Sequence, residues 1–237
     1  MTNEASIRRL KEQEKYDFAD LCEVMRLLRS PDGCPWDGEQ DHKSIRSSLI
    51  EETYEVIEAI DNDDPVLLRE ELGDLLFQIV FHSQIEMEKE VFCIDDVIHD
   101  ITGKMIHRHP HVFGDLSVKS SGEVLSNWES IKTEEKQRNT LGDKLRAIPP
   151  MLPALMRASK VTKKAKLSGD LSTDALFDAL ASRIEELREA DEGEVQERIG
   201  RLLMAVTQLS VHLGADAEYA LFEETERIIS QFSEKNT

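Results

Sequence analysis

The stretch Glu51-Glu52-Thr53-Tyr54-Glu55, continued at Glu71-Leu72-Gly73-Asp74, decides how this chain is read. Glu52 pairs with Glu55, and Glu71 with Asp74, each at i, i+3. On a helix both members of such a pair share one face. Ile45, Leu49, Val56, Ile57 and Ile60 recur at helical spacing around the first pair, and the second pair opens a run from Leu72 to Ile85 that is apolar nearly all round. That pattern predicts two helices, the second buried in a bundle. Four carboxylates brought together in a partly buried place repel one another, and a divalent cation relieves the repulsion. Such oxygen donors suit Mg²⁺, Mn²⁺ or Ca²⁺ better than zinc. The plainer alternative is two solvated acidic helix faces. Two adjacent clusters, each set in an apolar helix, weigh against it.

The composition narrows the function classes. In 237 residues, 29 Lys+Arg stand against 48 Asp+Glu, a net charge of −19. A nucleic-acid backbone as main partner is thereby disfavoured, since that interaction needs a basic face. A small anion remains compatible where local cations and a metal reverse the field. Aromatic residues make up only 5% and β-branched runs are few, which favours helices. Cys22, Cys34 and Cys93 lack metal-site spacing, so reduced thiols and a cytoplasmic location are expected. The polar N-terminus has no signal-peptide core, and no run approaches a membrane span.

Working outward, Phe18, Leu21, Val24, Met25 and Leu28 predict one amphipathic helix from about Ile7 to Ser30, ended by Ser30-Pro31-Asp32-Gly33. In the loop Gly33-Cys34-Pro35-Trp36-Asp37, Trp36 is expected to plug the core rather than stack on a base. Further helices are predicted over Lys43–Ile60 and Pro65–Glu88, with Asp64 as N-cap and Pro65 as first helical residue. Gly73 costs helix stability, about 1 kcal/mol against Ala, so a close helix or ligand approach is expected there. A helix over Ile94–His107 leads into Arg108-His109-Pro110-His111-Val112-Phe113. His107, His109 and His111 are not read as a zinc site, because Pro110 breaks the spacing and no other soft ligand stands nearby. A helix over Glu123–Lys136 carries Trp128 and Lys132 on one face. The polar stretch Gln137–Pro150 reads as a boundary. Four more helices follow, over Leu152–Lys164, Thr173–Ala190, Glu194–His212 and Ala215–Ser233.

The second half echoes the first. Residues 180–187 lie over 49–56, and 198–203 over 71–76, with the apolar frame and the glycine kept. Arg183, Arg198 and Arg201 take the places of Glu52, Glu71 and Asp74, while Glu186 keeps that of Glu55. Three cations there repel a metal. They are read as drifted surface of a structural copy, with pairing to acids or anion binding as the other possibilities.

Together, Gly33-Cys34-Pro35-Trp36-Asp37, the block at 51–55, Glu71-Leu72-Gly73-Asp74, Arg108 to Phe113 and Trp128-Glu129-Ser130-Ile131-Lys132 resemble the MazG family of nucleoside triphosphate pyrophosphohydrolases, its tandem-domain members in particular. The resemblance implies an all-α fold of tandem helical bundles. Residues 1–138 would form the catalytic domain, 139–150 a linker and 151–237 a degenerate second domain. It implies Glu52, Glu55, Glu71 and Asp74 as ligands for Mg²⁺, with Mn²⁺ as substitute. Lys104 and Arg108 would grip the triphosphate, and Trp128 and Lys132 would close over the nucleotide. Glu51 or Glu55 would accept the proton of the attacking water. A homodimer is implied, with helices from two protomers packed into one active unit. Of the second half's counterparts, Lys104 falls on Arg227, Arg108 on Gln231, and the chain ends before Trp128 and Lys132 are matched. The competing expectations are a narrow-substrate relative, acting on dCTP, dUTP or phosphoribosyl-ATP, and a non-catalytic nucleotide-binding or helical interaction module.

Overall fold

The structure is a computed structural model, and it describes residues 2–135, 140–169 and 171–234. The described residues form thirteen α-helices and no strand. The all-α class is as expected. The chain separates into two compact units, Met1–Val124 and Leu125–Thr237.

In the first unit, α1 (Asn3–Glu12) and α2 (Phe18–Leu28) replace the single predicted helix over 7–30. The break has a physical cause. Asp17 caps α2 by accepting from the backbone N–H of Asp20, and the Asp20 carboxylate accepts from that of Asp17, both at 3.0 Å. Buried Asp20 also accepts from Arg9 Nη1 at 2.5 Å and Gln13 Nε2 at 2.6 Å, which ties α1 to α2. A reciprocal cap satisfies orphan donors that a continuous helix would not have, and apolar periodicity alone does not register it.

The loop after α2 holds the short helix α3 (Pro35–Glu39). A Cβ on Gly33 would lie 2.2 Å from the Leu27 carbonyl oxygen and 2.4 Å from that of Leu28, so only glycine fits this approach. Trp36 is 61% exposed, which overturns its expected place in the core. Pro35 starts the short helix and Asp37 is the residue that turns inward.

Two long helices follow, α4 (Arg46–Asp61) and α5 (Pro65–Glu88), joined by three residues into the main hairpin of the unit. Asp64 caps α5 as expected, accepting from the N–H groups of Val66 at 2.9 Å and Leu67 at 3.0 Å. Helix α6 (Ile94–Arg108) packs on α5, and the one-turn α7 (Pro110–Phe113) packs on α6. The core comprises Met25, Ile45, Val80, Phe81 and Ile85, with Leu21, Cys22 and Phe77 against it. Helix α5 is therefore buried toward its C-terminal end only. Leu72 is 49% exposed and Ile79 41%, so the expectation of all-round burial holds for half of the run.

Helix α8 (Ser121–Glu135) runs across the border between the units. The last residue predicted for it, Lys136, lies outside the described residues. The second unit continues with α9 (Leu141–Arg146), α10 (Ala154–Ala165), α11 (Thr173–Arg188), α12 (Val195–Leu213) and α13 (Ala217–Glu234). Helices α11 and α12 form its main hairpin, and α10 packs on α9, α12 and α13. Glu218 of α13 accepts from the first free N–H groups of α10, those of Leu155 and Met156, both at 3.1 Å. That carboxylate replaces the N-cap that Pro153 cannot supply. No helix among the described residues is long and apolar enough to cross a membrane.

Candidate metal and nucleotide site

The α4–α5 hairpin fixes the register of its acids. Asp63 takes a left-handed conformation (φ 50°) in the connection, and the Asp64 cap starts α5 immediately after. Glu52 and Glu55 on α4 then meet Glu71 on α5, with one carboxylate oxygen from each inside a 4.8 Å group. This is the one cluster of possible metal ligands among the described residues. Asp74 lies outside the 4.8 Å group, yet its charge acts on both Glu52 and Glu71. Glu51 is exposed and supplies no oxygen to the group.

The electrostatics are those of acids lacking a counter-charge. Partial burial, then the charges of Asp74 and Glu55, raise Glu52 above the ordinary carboxylate range. Glu71 is raised by desolvation first, then by Glu55 and Asp74. A cation placed among these oxygens would remove both penalties at once. An all-carboxylate donor set half open to water fits Mg²⁺ or Mn²⁺, which keep part of their hydration. Nothing lies within 4 Å of a Cβ placed on Gly73 between Glu71 and Asp74, so no helix approaches closely there.

The remaining sequence candidates distribute as follows. Lys104 is exposed on α6, and Arg108 closes that helix with 6% of its surface accessible. His109 Nδ1 lies 2.6 Å from the Met105 carbonyl oxygen, and its ring is 5.6 Å from that of His111. These histidines enter no metal-ligand group among the described residues. Trp128 and Lys132 sit on α8 within the second unit. There Lys132 Nζ lies 4.5 Å from the Trp128 ring centroid and 3.4 Å from Glu129 Oε1. Their spacing on one helical face produces a cation–π pair.

The second hairpin shows what became of the repeated positions. Arg183 Nη1 donates to both Glu186 oxygens at 2.7 Å. Arg198 donates to the Glu186 carbonyl and, at 2.5 Å, to the Glu194 carboxylate. Arg201 pairs with Glu197 at 2.5 Å. Arg183 in the first place, with Arg201 and Arg198 behind it, holds the Glu186 carboxyl below its usual range. Guanidinium groups thus occupy the electrostatic role that a cation would play between the first pair of helices. The arginines pair with acids, as one of the expected possibilities had it.

Two contacts had no sequence signal. Arg29, the C-cap of α2, reaches the α3 loop and Glu88, and His42 meets His82 and Glu86. Their partners are 8 to 59 residues away in the chain and lie on other elements, where the periodicity within one helix carries no information.

Comparison with known proteins decides the family. A protein from Thermotoga maritima, named nucleoside triphosphate pyrophosphohydrolase/pyrophosphatase MazG, is 40% identical over 218 residues, covering 91% of this chain and 84% of its own. The chain belongs to the MazG family. The MazG nucleotide pyrophosphohydrolase domain matches at residues 40–113, the stretch that carries Glu52, Glu55, Glu71, Asp74, Lys104 and Arg108. The nucleoside triphosphate pyrophosphohydrolase of Escherichia coli K12 is 43% identical over 223 residues, covering 90% of this chain and 85% of its own. A Mycobacterium tuberculosis protein of the same name is 38% identical over 154 residues, 64% of this chain and 46% of the relative. Trp128 and Lys132 lie beyond the matched MazG domain.

Proposed function

We propose that this MazG-family chain hydrolyses nucleoside triphosphates to nucleoside monophosphate and pyrophosphate, with Mg²⁺ as cofactor. The observation that carries the proposal is the convergence of Glu52, Glu55 and Glu71 from two helices, with Asp74 at their border. The names of the Thermotoga maritima and Escherichia coli relatives support the reaction.

Phosphoryl transfer asks a protein for position and charge neutralisation above all. Glu52, Glu55, Glu71 and Asp74 would hold the cation, which when bound supplies positive charge for the triphosphate oxygens. Lys104 and Arg108 hold the charge of the departing pyrophosphate. Glu51, free of the cluster, or Glu55 at its exposed edge takes the proton of the attacking water. Trp128 and Lys132 cover the nucleotide. Residues 1–138 act as the catalytic domain, 139–150 as linker and 151–237 as its degenerate copy.

The exposed apolar residues of α5, Leu72 and Ile79 among them, support a homodimer in which a second copy covers the hairpin. The free thiols of Cys22, Cys34 and Cys93 suit a reducing cytoplasm.

The test is incubation with each NTP and dNTP plus Mg²⁺ and separation of the products. Monophosphate and pyrophosphate are expected. Orthophosphate with diphosphate, or no turnover, overturns the assignment. Nucleotide binding without turnover would select the alternative of a non-catalytic nucleotide-binding module. Light scattering at a monomer mass would contradict the dimer.

A further inference from the structure

Ten residues before Glu52, where the chain enters α4, His42 faces α5. Its Nδ1 lies 2.7 Å from His82 Nδ1, and its Nε2 lies 2.5 Å from Glu86 Oε1. The two rings lie nearly in one plane and meet edge to edge, with centroids 5.0 Å apart and 14° between planes. His82 Nε2 is buried and has no hydrogen-bond partner.

This geometry restricts where protons sit. Two nitrogens at 2.7 Å need one proton between them. With none, two lone pairs collide. With two, N–H points at N–H. Glu86 accepts at Oε1 from Lys89 Nζ at 2.7 Å and favours a proton on His42 Nε2. His42 and His82 together then hold either two protons or three, and the contact survives both states. A fourth proton, which would make both rings cationic, breaks it.

We propose that His42 and His82 are positioning residues for the acidic site, forming a one-proton latch that holds the start of α4 on α5 and opens when both rings become charged. Ile45, three residues on, is buried in the core against Val80 and Phe81, so the latch and this anchor secure one end of α4. The hairpin connection secures the other. Glu52 and Glu55 lie between, and their meeting with Glu71 depends on both ends staying in register. The effect on metal binding rests on the function proposed above. The latch itself does not.

The charged surroundings favour a single excess proton. On the segment of His42, Asp41 feels the ring's charge and is held low chiefly by the N–H groups of Ser44 and Lys43. From α5, Glu86 is held low by Lys89 and then by His42. From α2, Arg29 is engaged with Glu88. From α6, Asp95 acts on Cys22. Burial first, and then the charge of His42, push His82 below the ordinary histidine range. The doubly charged pair is thus the disfavoured state until the medium turns acid.

The experiment uses the full chain and two variants. His82→Asn keeps a hydrogen-bonding group near the place of Nδ1 but cannot take a proton, and His82→Phe keeps ring shape alone. Amide hydrogen exchange at residues 43–50, corrected for intrinsic pH dependence, is followed from pH 8 to pH 5. The wild type is expected to lose protection about tenfold on acidification through the histidine range. His82→Asn should stay flat, and His82→Phe should be unprotected throughout. Mn²⁺ affinity at pH 8, by calorimetry, should fall severalfold in His82→Phe and stay near wild type in His82→Asn, with both variants giving native circular dichroism. Equal acid midpoints in wild type and His82→Asn overturn the latch, and Mn²⁺ affinity unchanged in His82→Phe overturns the positioning role. A wild type that neither binds Mn²⁺ nor turns over nucleotide removes the proposed function, while the exchange data still decide the latch.

Discussion

Arg29 and Glu88 meet fork to fork, Nε donating to Oε1 at 2.9 Å and Nη2 to Oε2 at 2.8 Å. The remaining nitrogen, Nη1, donates to the carbonyls of Asp37 at 2.5 Å and Gln40 at 3.1 Å. One guanidinium therefore ties α2, the α3 loop and the end of α5 together. It also lies 5.2 Å from the Phe81 ring centroid, at the edge of the core.

Arg29→Lys should cost stability because an ammonium cannot reproduce the fork. We expect about 2 kcal/mol, from buried carbonyls and a carboxylate losing charged donors. A urea titration checks the value. Trp36 fluorescence in a Trp128→Phe background should shift at lower urea than the helical signal as the loop comes loose.

Glu52→Gln and Glu71→Gln remove mutual repulsion, so each should raise the melting temperature without metal and abolish the increase that Mg²⁺ or Mn²⁺ gives. Turnover should fall at least about a hundredfold, as for loss of a strong charge-stabilising group. The pH dependence has a definite sign. Both carboxyls sit above their unfolded value, so the folded state holds their protons more tightly. Their unfavourable contribution is absent at low pH and appears as pH rises through the window above 4.5. Added metal should therefore raise the melting temperature more at pH 8 than at pH 5. Equal increments would contradict the site.

Asp20→Asn should loosen α1 from α2. Backbone and Arg9 hydrogen bonds hold the Asp20 carboxyl below its usual 3.8, so its stabilisation is present above that pH and lost as pH falls through the lower folded value. Limited proteolysis between Gln13 and Asp17 should be faster in the variant than in wild type at neutral pH. Identical cleavage would show that the knot is dispensable.

In the second unit, Arg198→Ala should lower stability by about 1 kcal/mol through the loss of its bonds to Glu186 and Glu194, with kcat unchanged. Mn²⁺ titration of Glu52→Gln should show no residual site, because guanidinium groups neutralise the acid of the second hairpin. A retained stoichiometric site would place metal binding in the C-terminal half.

Trp128→Ala and Lys132→Ala should raise KM for the nucleotide more than they lower kcat, since they are assigned to covering rather than to the reacting phosphates. In a Trp36→Phe background, nucleotide should quench the remaining Trp128 fluorescence. No change on saturation would remove Trp128 from the binding surface.

Much of this was legible in the residue order, because the forces concerned are local. Helical periodicity, the Asp64-Pro65 start and the i, i+3 acids act within one or two turns, and the α4–α5 hairpin forms where they place it. The repeat was legible too, as the apolar frame and Gly200 persist while the charges change. The break at Gln13–Asp17 was not, since the cap that causes it competes with a periodicity running straight through. Nor was the outward turn of Trp36, which follows from Arg29 holding the loop backbone and Asp37 facing in.

The sequence by itself determined that this chain is helical, repeated, and acidic at four positions suited to a hard cation. Tertiary structure alone decided which of those acids share a ligand space, that the arginines of the second hairpin neutralise its acid, and that His42 meets His82. The physical reason is range. Backbone hydrogen bonding and side-chain periodicity are written within a few residues, whereas the register between helices is set by packing and charge pairing across tens of residues.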